Sequence, residues 1–134
     1  MKKIILSEDQ KQILTKHADT EKPNESCAIL FGSQRNQEIK VEKIFLTENI
    51  EKSPVNFTIS PEQILEAYKI ESQTGQKMVG IFHSHPDSSA YPSDTDKKFM
   101  EINPVIWVIY SGKHHEFKAY VLESTIREVQ IENR

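Results

Sequence analysis

Two histidines and an aspartate, His83, His85 and Asp96, have the residue types and the spacing of a metal site. The histidines are separated by one residue at the end of an apolar, strand-like run, so their imidazoles share one face with Cα atoms about 6.6 Å apart. Asp96 comes three residues after Ser93, a typical helix N-cap, and therefore lies in the first helical turn and faces the same side of that helix as Ser93. Two histidines and one carboxylate fill three positions of a tetrahedron and leave a fourth for water, as in catalytic zinc sites.

Neither half of this pattern is specific by itself. A His-x-His pair is common without a metal, and Ser-x-x-Asp is an ordinary helix start. The combination is specific because the histidine pair ends a buried strand and two prolines, Pro86 and Pro92, shape the following loop. The loop then returns the carboxylate of Asp96 to the same point, which favours a metal site over coincidence.

The segment from His83 to Asp96 resembles the signature of the JAMM (MPN+) zinc metalloproteases. It reads His-Ser-His-Pro, with seven residues between the second histidine and Ser93 and two more before Asp96. The family also places a glutamate ahead of an apolar run that ends in glycine, and Glu25 followed by Ser-Cys-Ala-Ile-Leu-Phe-Gly fits that pattern. The resemblance covers nearly the whole chain, and no functional position departs from it.

The resemblance implies a role for each of these residues. One zinc ion per chain would be held by His83, His85 and Asp96, and would lower the pKa of its bound water to about 7. Glu25 would take that proton and pass it to the leaving amine, and Ser93 would support the oxyanion with the metal. Without the resemblance, Glu25 is most simply a solvated residue before a strand, and Ser93 a helix cap. Ser93 can do both if the cap uses a lone pair and the oxyanion its proton.

Three serines mark the predicted helix starts that position these residues. Ser7, with a glutamine three residues later, predicts a capping box and a helix to about Ala18. Ser60 followed by proline predicts a second helix that ends at Gly75. Ser93 begins a short third helix. The apolar face of the first helix is expected to consist of Ile13, Leu14 and His17.

Short apolar or alternating runs predict six strands around these helices. They span residues 27–32, 39–46, 78–83, 105–110, 116–122 and 126–131, the first two as a hairpin. The order α-β-β-α-β-α-β-β-β predicts an α/β fold with a single mixed β-sheet flanked by helices. The resemblance implies the MPN/JAMM (cytidine deaminase-like) architecture. With 134 residues, we expect one catalytic domain over residues 1–134.

The segment from Thr47 to Thr58 is predicted to be a long loop, since it contains Pro54 and two asparagines and has little periodicity. The resemblance implies that this is the place where family members carry an insertion that contacts the ubiquitin-like partner. Two interpretations stay open: a mobile element that grips the substrate and becomes ordered, or a rigid connector packed through Val55 and Phe57.

Overall composition excludes several classes of protein. The net charge of −3 argues against nucleic-acid binding. Cys27 is the only cysteine, so no internal disulfide forms, which suits a reducing compartment. No run approaches the roughly 20 apolar residues of a membrane span, and no signal peptide is evident. We therefore expect a cytoplasmic protein without membrane partners, and Cys27 as a buried thiol.

The resemblance implies a zinc-dependent isopeptidase or peptidase acting at the C-terminus of a ubiquitin-like or sulfur-carrier protein, as in compact archaeal and bacterial members. Removal of such proteins from target lysines and release of a small product such as cysteine both stay open. The alternative is a non-catalytic MPN scaffold subunit, a class that lacks the metal ligands. A zinc-dependent nucleoside deaminase would require cysteine ligands that this chain lacks. The sequence does not indicate the oligomeric state or the physiological substrate.

Overall fold

The computed structural model describes residues 2–134, which form seven strands and three helices. The strands are β1 (Lys3–Ile5), β2 (Cys27–Arg35), β3 (Glu38–Thr47), β4 (Lys77–His85), β5 (Ile106–Ser111), β6 (Glu116–Leu122) and β7 (Ile126–Glu132). The helices are α1 (Glu8–Glu21), α2 (Pro61–Thr74) and α3 (Asp94–Ile102).

The strands form one mixed sheet in the order β1-β3-β2-β4-β5-β6-β7. β2 is antiparallel to both β3 and β4, β4 is parallel to β5, and β5, β6 and β7 form an antiparallel meander. The predicted single mixed sheet is confirmed. β1 was not predicted, because three residues are too few to show a period; it pairs in parallel with both β3 and β7, so the sheet curves round on itself.

Helices cover both faces of the sheet, as predicted. Leu14 and Ala18 of α1 join one apolar cluster with Leu30 and Phe82 of the central strands. On the opposite face, Met100 of α3 packs in a second cluster, and α2 packs in a third. The second cluster lies beneath the candidate site, so its packing sets the relative position of α3 and β4.

The predicted helix starts are confirmed, since Ser7, Ser60 and Ser93 are all N-caps whose side chains accept a backbone N–H. Gly75 ends α2 in the left-handed conformation, with φ of 74°. The predicted extent and buried face of α1 need correction. The helix continues to Glu21, and its buried residues are Leu14 and Ala18. Ile13 is 46% exposed because it lies beside the stripe formed by Leu14 and Ala18. His17 lies at the edge of that stripe, half-buried, with its Nε2 3.0 Å from the Cys27 carbonyl oxygen and 3.1 Å from that of Thr47.

Between residues 2 and 134, no helix combines the length and the apolar character needed to cross a membrane.

Candidate metal centre

β4 places two imidazoles on one face of the sheet. It is a central strand, hydrogen-bonded to β2 on one side and to β5 on the other, and it continues through His85. His83 and His85 are two residues apart in this strand and therefore point to the same face. Both are buried, at 0% and 4% exposure, because the second apolar cluster and the loop before α3 cover them.

The first turn of α3 brings Asp96 to the same face. Ser93 and Asp96 form a reciprocal capping box. The Ser93 hydroxyl accepts the Asp96 N–H at 3.1 Å, and Asp96 Oδ2 accepts the Ser93 N–H at 2.9 Å. This pair of bonds fixes the direction of the carboxylate before any ion binds.

Three ligand atoms converge at this point. His83 Nε2 and His85 Nε2 lie 3.0 Å apart, and Asp96 Oδ2 lies 3.1 Å from the first and 3.0 Å from the second. Donors placed about 2.0–2.1 Å from a tetrahedral zinc ion are about 3.4 Å from one another, so a small expansion of this triangle accommodates the ion. Among the residues described, these three form the group of His, Cys, Asp and Glu side chains that could hold a metal.

The electrostatics of this group suit a cation. Burial would raise the pKa of the Asp96 carboxyl, but hydrogen bonds with His83 and His85 outweigh burial and hold that pKa well below its usual range. Burial lowers the pKa of His83, which favours the neutral imidazole that ligates metals. Burial also opposes protonation of His85, but its contacts with Asp96 and Ser89 prevail and raise its pKa. The carboxylate of Asp96 therefore stays ionised in these buried surroundings and offers a negative charge to a cation.

The two imidazoles are oriented by different means. His85 Nδ1 lies 2.8 Å from the Ser89 carbonyl oxygen, which only accepts, so Nδ1 carries the proton and Nε2 presents its lone pair to the site. His83 Nδ1 is buried and makes no hydrogen bond with the described residues. Its ring is instead stacked on Phe57, with centroids 4.8 Å apart, and meets the edge of Trp107 at 5.7 Å.

Glu25 reaches the site from the residue positions just before β2. Cys27 pairs with His83 across the β2–β4 ladder, and the Ser84 N–H donates to the Ser26 carbonyl at 3.0 Å. That register places Glu25 opposite His85, on the same face. Its backbone is fixed, since its N–H donates to the Ser53 carbonyl at 2.8 Å.

The Glu25 carboxyl is buried, at 3% exposure, and its Oε1 has no hydrogen-bond partner within residues 2–134. Burial raises the pKa of this carboxyl to about 8; the charge of His85 lowers it and that of Asp96 raises it. The two ligands are therefore close enough to influence Glu25, although no direct bond joins them. An unpaired buried carboxyl beside a metal-ligand triad is able to take up and release a proton.

The loop between β3 and α2 contributes residues that sequence reasoning missed. The Asn49 side chain, only 2% exposed, donates to the carbonyls of Glu25 and Asn56 at 3.0 Å, and its Oδ1 accepts the N–H of Thr58 at 3.1 Å. The rigid-connector interpretation packs this loop through Val55 and Phe57, but only Phe57 is buried, since Val55 is 66% exposed. The loop is held together by the hydrogen bonds of Asn49 rather than by packing of Val55.

Other positions near the site have structural partners. Ser84 lies between the two histidines and points to the other face, where its hydroxyl accepts the N–H of Ser26 at 2.8 Å. The only sequence feature that could have pointed to Ser84 is its position between the two histidines of the His-x-His motif. Cys27 is fully buried, with the Thr47 hydroxyl 3.2 Å from its sulfur, and burial raises the pKa of the thiol to about 11. The prediction of a buried thiol is confirmed.

Comparisons with known proteins agree with this geometry. Residues 7–123 match the family model described as prokaryotic homologs of the JAB domain. The chain is 39% identical over 109 residues to the desampylase of Pyrococcus furiosus, covering 80% of this chain and 74% of that protein. It is 25% identical to the CysO-cysteine peptidase of Mycobacterium bovis, covering 96% and 89% of the two chains. A protein from Desulfitobacterium hafniense, solved in solution, superposes with a TM-score of 0.87 at 29% identity, covering 98% and 92%.

Proposed function

Because the chain belongs to the family of prokaryotic homologs of the JAB domain, we propose that it is a zinc-dependent peptidase or isopeptidase that cleaves conjugates of ubiquitin-like or sulfur-carrier proteins at their C-terminus. The observation that carries this proposal is the convergence of three metal-ligand atoms beside an unpaired buried carboxyl. This membership agrees with the resemblance to JAMM proteases seen in the sequence.

The metal is proposed to bind through His83 Nε2, His85 Nε2 and Asp96 Oδ2, with one zinc ion per chain. The donor set fits zinc, since two imidazoles and one carboxylate are common ligands of catalytic zinc sites. When bound, zinc supplies a Lewis acid that acidifies a water molecule and polarises the scissile carbonyl group. The fixed Nδ1–H of His85 and the capping-box bond to Asp96 keep the protein donors aimed at one point.

Glu25 is proposed as the general base and then the general acid. Its carboxyl has a free oxygen, Oε1, and lies on the face that carries the ligands. It accepts a proton from the attacking water and delivers it to the amine as the carbon–nitrogen bond breaks. Burial excludes competing bulk water from this transfer, and the bound Glu25 backbone keeps the carboxyl in place.

Ser93 is proposed to stabilise the negative charge that develops on the substrate carbonyl oxygen. One lone pair of its hydroxyl accepts the Asp96 N–H. The hydroxyl proton has no acceptor among the described residues, so it is free to donate to the substrate. Such a donor strengthens its bond as charge develops on the oxygen, which lowers the barrier rather than only improving substrate binding.

The substrate class draws support from the similar proteins, which are named a desampylase and a CysO-cysteine peptidase. Both interpretations of the chemistry follow from the same site, since an isopeptide bond to lysine and a peptide bond to cysteine differ only in the leaving amine. We place the activity in the cytoplasm and in one catalytic domain spanning residues 1–134. A non-catalytic scaffold is disfavoured because the full ligand set, Glu25 and Ser93 are all present.

The test combines metal analysis with defined substrates. Each ubiquitin-like protein of the host would be linked through its C-terminus either to a lysine side chain or to cysteine, and the products would be followed by mass spectrometry. We expect about one zinc per chain and cleavage of at least one substrate, with Glu25→Gln as the zinc-bound control. A wild-type protein that holds zinc and binds these partners but cleaves none of them would support the scaffold instead.

A further inference from the structure

Three consecutive carbonyl groups in the loop between β4 and α3 each accept a hydrogen bond from a different strand. The Ser88 oxygen accepts from the Ser111 hydroxyl at 2.7 Å, and the Ala90 oxygen accepts from the Tyr120 hydroxyl at 2.6 Å. Between them, the Ser89 oxygen accepts from Nδ1 of His85 at 2.8 Å. The donors belong to β5, β6 and β4, so the sheet holds the loop from below at three successive peptide units.

Of the outer two bonds, the one from Tyr120 lies in dry surroundings, since Tyr120 is 4% exposed and Ala90 is 2% exposed. Ser111 is fully buried, but Ser88 is exposed, so the bond between them is partly open to water. Water therefore cannot easily replace the Tyr120 hydroxyl, and the Ala90 carbonyl left without it would turn to find another partner. The ring of Tyr120 also meets the edge of Tyr91, with centroids 5.5 Å apart.

The bond from His85 Nδ1 to the Ser89 carbonyl oxygen is the one that bears on metal binding. A histidine that binds a metal through one nitrogen depends on a partner at the other nitrogen to fix its tautomer and ring direction. For His85 that partner is the Ser89 carbonyl, which belongs to an irregular loop rather than to a helix or strand. Adjacent peptide units share a Cα atom, so fixing the Ser88 and Ala90 carbonyls restricts rotation of the Ser89 carbonyl between them.

We propose that Tyr120 is a positioning residue of the metal site, whose hydroxyl holds the Ala90 carbonyl so that the Ser89 carbonyl stays aimed at His85 Nδ1 and Nε2 stays aimed at the metal. The proposal rests on the metal site described under the proposed function. Ser111 performs the same task from the other side of Ser89. His83 is independent of this arrangement, because its ring is held by Phe57 and Trp107.

The experiment compares Tyr120→Phe with Tyr110→Phe. Both changes remove one buried tyrosine hydroxyl and keep the ring, but the Tyr110 hydroxyl lies 3.3 Å from His115 Nδ1, and Tyr110 packs in the cluster with α1, on the face away from the metal. Zinc affinity would be measured by competition with a chromophoric chelator. Loss of a partner that contacts a metal ligand directly usually costs about 10- to 100-fold in affinity. Because Tyr120 acts through the Ala90 and Ser89 carbonyls, we expect Tyr120→Phe to weaken zinc binding by up to about 10-fold and Tyr110→Phe to leave it unchanged.

A second readout follows His85 itself. With ¹⁵N-labelled histidine, nuclear magnetic resonance reports the protonated ring nitrogen and the exchange of its proton with water, in metal-free and zinc-loaded protein. We expect the His85 Nδ1 proton to exchange faster in Tyr120→Phe. The His83 signals should change less, because that ring is held by Phe57 and Trp107 even though its Nε2 lies 3.0 Å from Nε2 of His85. Ser111→Ala should act in the same direction, and it serves in place of Tyr120→Phe if that variant does not fold.

The outcomes separate this proposal from the proposed function. Wild-type zinc affinity and wild-type His85 exchange in a folded Tyr120→Phe protein would overturn the positioning role, as would equal losses in Tyr110→Phe. Absence of substrate cleavage by zinc-loaded wild type would instead count against the peptidase. The exchange of the His85 proton is measured without substrate and without metal, so it tests Tyr120 in either case.

Discussion

The candidate metal-ligand group, formed by His83, His85 and Asp96, and the Glu25 carboxyl lie on one face of the sheet, yet their surroundings differ. In the candidate ligand group, each side chain is within hydrogen-bond distance of the other two. Asp96 Oδ2 also accepts the Ser93 N–H. Glu25 is bound through its backbone, by Ser53 and Asn49, while its carboxyl oxygen Oε1 has no partner in residues 2–134.

The two proposed roles, binding a metal and transferring a proton, place different requirements on the side chains that perform them. Metal ligands must hold a fixed geometry, so bonds that direct them before the ion arrives reduce the cost of binding it. A group that transfers protons must change charge state, and a permanent hydrogen-bond donor to Glu25 would favour its ionised form and weaken it as a base. Glu25 suits proton transfer because its carboxyl oxygen Oε1 is unpaired, while hydrogen bonds to its backbone hold the residue in place.

The largest effect is expected from breaking the ligand group with His83→Ala. The variant keeps only two of the three proposed protein donors to the metal, so we expect it to bind much less than one zinc ion per chain. Activity should then fall below detection. Zinc would be quantified by mass spectrometry after dialysis. His114→Ala, which removes an exposed histidine, is the matched control and should keep its zinc. Undiminished zinc in His83→Ala would show that the metal lies elsewhere.

Glu25→Gln separates the two regions of the site most directly. Glutamine has nearly the same size but cannot accept the proton, so the rate should fall about 10²- to 10⁴-fold while zinc content stays at the wild-type level. Turnover and bound zinc would be measured on the same preparation. Cleavage near the wild-type rate would rule out Glu25 as the base, and loss of zinc would mean that Glu25 belongs to the ligand group.

Ser93→Ala tests a residue of the ligand region with two proposed roles, the cap of α3 and the oxyanion donor. Loss of one oxyanion donor typically lowers the rate about 10²- to 10³-fold, or about 2.7–4 kcal/mol of barrier. Loss of a helix cap costs about 1 kcal/mol of stability. We expect both effects, measured as kcat and melting temperature.

Ser7→Ala is the matched control for Ser93→Ala, since Ser7 caps α1 through the same capping box but lies outside the site. It should lose stability alone. Equal kcat values for the two alanine variants would leave Ser93 with only a capping role.

The last prediction concerns stability rather than activity, and the unpaired carboxyl in metal-free protein. The pKa of Glu25 is about 8 in the folded chain against an ordinary value of 4.5, so the folded state binds more protons than the unfolded state between these pH values. Stability must then fall as pH rises from about 4.5 to about 8, by at most about 1.4 kcal/mol per pH unit.

Glu25→Gln has no charge to bury and should remove the contribution of Glu25 to this slope, leaving those of His83 and His85. Denaturant unfolding of both metal-free proteins at pH 5, 6, 7 and 8 would measure it. The free energy of unfolding of the variant should exceed that of the wild type by a margin that grows with pH. Parallel curves would indicate that the Glu25 carboxyl has a partner after all.

The sequence by itself determined the parts of the site that depend on local geometry. The two-residue period of a strand puts His83 and His85 on one face, and the first turn of a helix puts Asp96 over its N-cap. These relations hold within fewer than five residues, so they follow from backbone periodicity alone. For the same reason, all three N-cap serines and the glycine that ends α2 could be predicted, while the weak stripe of α1 was assigned partly to the wrong residues.

Only the tertiary structure decided which distant residues complete the site. The β2–β4 register sets Glu25 opposite His85, and a slip of one residue would turn its side chain to the other face. The sequence indicated Glu25 only through its resemblance to a family. Three further features left no periodic signal in the sequence. They are the pairing of β1 with both β3 and β7, the contacts of Asn49 in the loop before α2, and the bond from the Tyr120 hydroxyl to the loop between β4 and α3. Each joins segments far apart in the chain, and such contacts depend on strand register and packing, which no local pattern specifies.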